Sequence, residues 1–313
     1  MGGYIRTFVL LAALTAIFGA AGYAIGGRIG ALFALLAAAA MNLYAWWGSA
    51  GAVLRMHNAQ PISEQDAPRL YAMVGQLAQR AGIPMPKLYV IHEDQPNAFA
   101  TGRGPADAAV AVNSGLIDVM TEQQVAGVVA HELAHIKHRD TLVMSIAATL
   151  SGAIGMLAQF GGMFSMRGQN GERRSNPLAA IAVMILGPIA AAIVQMAISR
   201  AREYEADREG AVIAGDPEWL ASGLERLEAF SQRAVNEGAG AHPATSHMFI
   251  VNPLSGGGLR GLFTTHPPTQ ERVARLRAMR PGGGIALDAP AALSPWWVQP
   301  PAVMPRSRNP WRR

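Results

Sequence analysis

Four long stretches of the chain carry no charged residue: 8–27, 29–54, 141–164 and 177–199. Roughly twenty apolar residues cross a bilayer as a helix, so each is long enough to span. Only Arg28 separates the first two, which predicts a transmembrane hairpin turning at Gly26-Gly27-Arg28. A cleaved secretory signal is the competing reading of the first stretch, since Arg6 precedes an apolar run. A second apolar block following at once argues against it. Gln159, Gln195 and several glycines interrupt the third and fourth stretches. A buried pair of core helices is therefore their competing reading, and four spans is the preferred count.

Polar, water-compatible sequence fills the rest. Residues 87–91 and 108–112 read as strands. Thr121 with Gln124 has the spacing of a capping box, and the periodic apolar run behind it predicts a helix. Residues 200–230 have a helical period, and 266–279 read as a short amphipathic helix after Pro267-Pro268. Residues 235–265, with three glycines at 256–258, predict a mobile loop able to gate a site. From residue 281 the proline, glycine and tryptophan content predicts a disordered tail. The expected fold is mostly α with a small β-sheet: four transmembrane helices plus a water-soluble domain. Its parts are a transmembrane hairpin (1–56), the first segment of that domain (57–140), a second transmembrane hairpin (141–199), its second segment (200–280) and the tail (281–313).

Composition sharpens this picture. Half of the 313 residues are hydrophobic and 15% are charged, against about 25% in a soluble domain. A disordered hub is excluded by the apolar content, and a disulfide scaffold by the absence of cysteine. The net charge of +5 invites a nucleic-acid reading. However, residues 280–313 hold five Arg and one Asp, whereas residues 1–279 hold 21 basic and 20 acidic groups. The body is nearly neutral, so no nucleic-acid partner is expected. With four spans, eight basic residues near the membrane ends lie on the soluble side (Arg6, Arg55, Arg69, Lys137, Arg139, Arg200, Arg202, Arg208). Four lie at the hairpin tips (Arg28, Arg167, Arg173, Arg174). That bias favours a cytoplasmic soluble domain.

The first chemical signal is His131-Glu132-Leu133-Ala134-His135. Residues four apart on a helix share a face, so both imidazoles can bind one zinc ion. Glu132 is rotated away from His131 and can reach a water on the metal instead. This is the HExxH pattern of zinc peptidases. With 8 His and 13 Glu in the chain, chance would supply the pattern about one time in a hundred. A catalytic zinc needs a third protein ligand and an open position. His138 is too far along the helix, rising about 10.5 Å above His131.

Glu203 and Asp207 supply the better candidates. They are four apart in Ser199-Arg200-Ala201-Arg202-Glu203-Tyr204-Glu205-Ala206-Asp207 and share a face with Gly210 and Ala214. Glu203 can come to the metal, and Asp207 can accept a hydrogen bond from a ligand imidazole. A solvated charged face is the competing reading. It gives way because the HExxH helix lacks its third ligand.

Together these motifs resemble the HtpX-type heat-shock membrane zinc proteases, relatives of the CAAX prenyl proteases. The resemblance rests on Pro96-Asn97-Ala98-Phe99-Ala100-Thr101-Gly102, residues 110–140 around HELAH, SRAREYEAD at 199–207 and THPPTQERVARL at 265–276. It spans about residues 1–280 and implies a zincin-like catalytic domain with one Zn2+ per chain. His131, His135 and Glu203 would be its ligands, Glu132 the catalytic residue and Asp207 the supporting acid. It further implies a multi-pass protein of the bacterial inner membrane that cleaves damaged or misfolded membrane proteins.

His266 is then a candidate donor to the tetrahedral oxyanion, with a plain loop histidine as the alternative. Asn97, Ala98, Phe99 and Ala100 are expected in an exposed edge strand on which a substrate backbone could pair, with a simple turn as the alternative. Two rival functions are a membrane-anchored zinc protein that binds unfolded clients without cutting them and a prenyl-peptide-processing protease. A transporter would need ionisable residues in the middle of its spans, and the four stretches have none.

Overall fold

The computed structural model describes residues 2–147, 200–236, 267–280 and 282. The expected third and fourth spans therefore lie outside the described residues beyond 147, as do most of the 235–265 loop, His266 and nearly all of the tail. Helix α1 (Gly2–Met56) is helical along its length, yet the chain reverses within it. Gly27 has φ +60°, a left-handed conformation open to glycine at little cost. Asn42 Nδ2 donates to Thr15 Oγ1 at 2.9 Å, and Leu11 packs against the same apolar cluster as Ala45 and Trp46. In a straight helix Thr15 and Asn42 would be about 40 Å apart, so α1 is an antiparallel hairpin. Its second limb, Gly27–Met56, is long and apolar enough to cross a membrane. Ile29, Leu32, Phe33, Leu36 and Trp47 stand exposed on that limb, as a lipid-facing surface would.

A four-stranded mixed sheet follows: β1 (Gln60–Pro61), β2 (Lys87–Ile91), β3 (Ala98–Gly102) and β4 (Ala108–Asn113), in the order β1-β2-β4-β3. β2 and β4 are parallel, and the outer strands pair antiparallel. The two strands expected at 87–91 and 108–112 are β2 and β4, the latter one residue longer. β3 is an edge by pairing, but it is not exposed. All five of its residues are buried, because the sheet is covered on both faces. Ala98, Ala100, Val110 and Val112 face the helical core, while Phe99, Ala109 and Ala111 pack on Val53 and Leu54 at the end of α1. Such two-sided burial also explains why β4 is apolar without alternation.

The helices are α2 (Pro68–Ala81), α3 (Ser114–Val119), α4 (Glu122–His138), α5 (Arg200–Ala214), α6 (Pro217–Asn236) and α7 (Thr269–Arg277). Residues 200–230 thus form two helices rather than one. The break falls at Gly215, φ +90°, before Pro217, which has no amide hydrogen to continue the ladder. Asp216 Oδ1 then accepts the Glu218 amide at 2.9 Å. α4 lies at the centre of the main core, packed by buried residues of α2, the sheet, α5, α6 and α7. Residues 141–147 begin another helix, whose Leu142, Val143 and Ile146 pack against the foot of the hairpin.

Candidate active site

Helix α4 is fixed at both ends by local chemistry. Thr121 Oγ1 accepts the Gln124 amide at 3.3 Å, and Gln124 Oε1 accepts the Thr121 amide at 3.1 Å, completing the expected capping box. At its other end Arg139 turns left-handed, φ +61°. The amides of Arg139 and Asp140 then bond back to Ile136 and His135. Between these caps His131, Glu132 and His135 are all buried.

Glu203 of α5 meets the two imidazoles. His131 Nε2 and His135 Nε2 are 3.2 Å apart; Glu203 Oε2 lies 3.6 Å from the first and Glu203 Oε1 3.6 Å from the second. A tetrahedral zinc site with bonds of about 2.0–2.1 Å has donor atoms about 3.3 Å apart, so this set fits one zinc-sized ion. The approach depends on Gly210, one of the small residues on the Glu203 face. A Cβ there would sit 2.8 Å from the His131 Cα and 2.9 Å from its amide nitrogen.

Each imidazole has a carboxylate at its other nitrogen. Asp207 Oδ1 is 3.0 Å from His131 Nδ1, and Asp140 Oδ2 is 3.4 Å from His135 Nδ1. Both carboxylates are held by arginines. Arg272 donates to the two oxygens of Asp207 at 2.8 and 2.6 Å, and Arg202 donates to Asp140 Oδ1 at 3.1 Å. Four buried carboxylates (Glu132, Asp140, Glu203, Asp207) thus face two guanidiniums. With all of them ionised and both imidazoles neutral, as metal ligands are, two negative charges are left over among the described residues, which a divalent cation would neutralise.

The titration behaviour follows from burial and these partners. Burial pulls both imidazoles down and prevails at His131. At His135 the charges of Glu203, Asp140 and Glu132 outweigh it, and the imidazole rises to about 9. Burial would raise Asp207, but the charge and hydrogen bonds of Arg272, helped by His131, hold it well below the ordinary carboxylate range. Among the described residues no guanidinium bonds to Glu132. Burial pushes its carboxyl up to about 7, against the pull of His135 and of the Ala100 amide, which donates to Glu132 Oε2 at 2.8 Å.

The sequence matches peptidase family M48 over residues 64–280. The chain belongs to that family. It is 54% identical over 281 residues to a protein described as "Protease HtpX homolog" from Methylibium petroleiphilum, covering 90% of this chain and 99% of that one. A homolog of the same description from Ralstonia nicotianae is also 54% identical, over 90% of this chain and 99% of its own length. One from Burkholderia mallei is 53% identical over 89% and 98%. Among solved structures, Ste24p of S. mikatae aligns with a TM-score of 0.44 and 17% identity, over 87% of this chain and 67% of that one. This M48 member is a metalloprotease of a membrane-associated family.

Of the residues singled out from the sequence, the fold brings His131, Glu132, His135, Glu203 and Asp207 into one buried cluster. Asn97, Ala98, Phe99 and Ala100 run beside it, with the Ala100 amide on Glu132 and the Asn97 carbonyl accepting the Asn113 amide at 2.9 Å. His266 lies outside the described residues. Three members of the cluster escaped sequence reasoning as site residues: Asp140, Arg202 and Arg272. Arg272 sits inside the THPPTQERVARL stretch, where it is one of two arginines with no local mark to separate it.

Proposed function

We propose that this chain is a zinc endopeptidase of the bacterial inner membrane that cleaves damaged or misfolded membrane proteins as part of the heat-shock response. The reading rests on one observation above all. Three donor atoms, from His131, His135 and Glu203, converge within 4.8 Å beside the buried carboxyl of Glu132. In this reading those three residues hold the metal. When bound, zinc makes a coordinated water acidic near neutral pH and polarises a carbonyl.

The chain's own residues do the rest. Glu132, whose buried carboxyl lies beside the three donors, takes the proton of the attacking water and returns it to the leaving amine. Asp207 fixes the orientation of His131. His266 is the proposed donor to the developing oxyanion.

The substrate backbone is proposed to pair beside Asn97, Ala98, Phe99 and Ala100. Because the Ala100 amide is already given to Glu132, pairing there would compete with that bond. The α1 hairpin and the stretches 141–164 and 177–199 are assigned to four spans. Residues 57–140 and 200–280 then form a zincin-like catalytic domain on the cytoplasmic side, and 281–313 a disordered tail.

Cleavage of unfolded casein by detergent-purified wild type and Glu132→Gln, with zinc assayed in both, tests the reading. Activity in wild type alone, with metal retained in both, is the expected result. Equal activity in both proteins overturns the role of Glu132. Zinc without activity in either favours a client-binding protein instead.

A further inference from the structure

The cluster contains a carboxylate that neither the HExxH motif nor the Glu203–Asp207 pair accounts for. Asp140 follows the left-handed residue that ends α4, and that turn brings its side chain back under His135, with Oδ2 3.4 Å from Nδ1. It is 4% exposed. Its other oxygen accepts from Arg202 at 3.1 Å, and Arg202 stands in the first turn of α5. The backbone next to Asp140 is pinned as well. Thr141 Oγ1 donates to the Gly102 carbonyl at 3.0 Å, and Ser145 Oγ lies 2.7 Å from Thr101 Oγ1. Arg202 of α5 thus holds the carboxylate itself, and β3 holds the chain that follows it.

We propose that Asp140 is a positioning residue for His135, fixing the orientation in which Nε2 faces the metal, and that Arg202 holds Asp140 in that role. The inference rests on the metal-binding reading above. His135–Asp140–Arg202 then repeats, with different elements, the arrangement His131–Asp207–Arg272. An imidazole ligand whose second nitrogen is held by a carboxylate keeps one tautomer and one ring orientation, and loss of such a partner weakens metal binding about 10–100-fold. Asp140 immediately precedes the 141–164 stretch, and Arg202 follows the 177–199 stretch. The pair therefore ties together, on one ligand, the two places where the chain leaves and rejoins the catalytic domain.

Zinc affinity of the full chain in detergent, measured by competition with a chromophoric chelator, tests this without reference to activity. The thermal midpoint of the zinc-free form, followed in parallel, reports any merely structural effect. Asp140→Ala is expected to weaken zinc binding about 10–100-fold at a temperature where the zinc-free protein remains folded. Asp140→Asn, which keeps the shape and one acceptor, should recover most of the loss and stay several-fold weaker than wild type. Arg202→Ala should weaken binding less than Asp140→Ala, and the double variant should be no worse than Asp140→Ala alone.

Wild-type affinity in Asp140→Ala overturns the proposal. Should that variant not fold, wild-type affinity in Asp140→Asn overturns it equally. Additive losses in the double variant remove Arg202 from the arrangement. A wild-type chain that takes up no zinc refutes the metal site itself, an outcome distinct from all of these.

Discussion

Arg272 grips Asp207 through two hydrogen bonds, at 2.8 and 2.6 Å, across 65 residues of sequence. Both side chains are buried, so this pair joins α7 to α5 directly behind His131. Removing one partner of a buried ion pair strands the other charge and costs about 3–5 kcal/mol. Arg272→Ala should therefore lower the thermal midpoint sharply. Arg272→Lys should fall between, because an ammonium cannot match both oxygens at once. An unchanged midpoint in Arg272→Ala would show that the pair contributes little.

The same pair sets a pH dependence. Asp207 has a folded-state pKa well below its unfolded value of about 3.9. Its contribution to stability is therefore present above that unfolded value and is lost as pH falls through the folded one. Urea midpoints of the zinc-free protein should decline as pH drops below about 4, and the decline should be shallower in Asp207→Asn. Equal slopes in the two proteins would assign the acid sensitivity to other groups.

At Gly210 any added side chain meets backbone. An alanine Cβ would lie 2.8 Å from the His131 Cα, which cannot move aside as a flexible side chain can. Gly210→Ala should force α5 away from α4, cost about 1–3 kcal/mol and carry Glu203 away from the imidazoles. Zinc content after dialysis against a weak chelator, together with the thermal midpoint, checks both effects. Full retention of metal would mean that the helices slide without separating.

Glu203→Gln removes the anionic donor while preserving its shape. Zinc should then be stripped at much lower chelator concentration than from wild type, by more than the roughly 10–100-fold expected for a residue that only supports a ligand. Identical chelator curves would exclude Glu203 from the metal site.

The hairpin offers a separate test. Asn42→Leu removes the donor to Thr15. Hydrogen bonds between membrane helices contribute about 0.6–2 kcal/mol, so denaturation by a harsh detergent should shift by a comparable amount. No shift would mean that apolar packing alone holds the two limbs.

Much of the candidate site is legible before any fold is known, because its key relationships are local. His131 and His135 share a face, as do Glu203, Asp207 and Gly210, through the fixed geometry of a helix. The capping box at Thr121 and Gln124 is likewise a matter of three residues. Strands 87–91 and 108–112 are legible from β-branched and apolar runs bounded by turn residues. The two-helix division of 200–230 is written there too, in Gly215-Asp216-Pro217, a helix-ending glycine, a capping aspartate and a proline at the next helix start, although the helical period alone runs across it.

Sequence by itself determined the spacings along single elements: the HExxH helix, the Glu203–Asp207 face, the glycine at which α1 reverses, and the apolar stretches. Tertiary structure alone decided what those elements meet. It buried β3 between α4 and the end of α1 and placed the Ala100 amide on Glu132. It also brought Asp140 with Arg202, and Asp207 with Arg272, behind the two imidazoles. The physical reason lies in the range of each interaction. Backbone geometry repeats every few residues and is written in the order of side chains. Burial and pairing across 30–65 residues depend on how whole helices pack, and a charged residue looks the same in sequence whether solvent or a buried partner receives it.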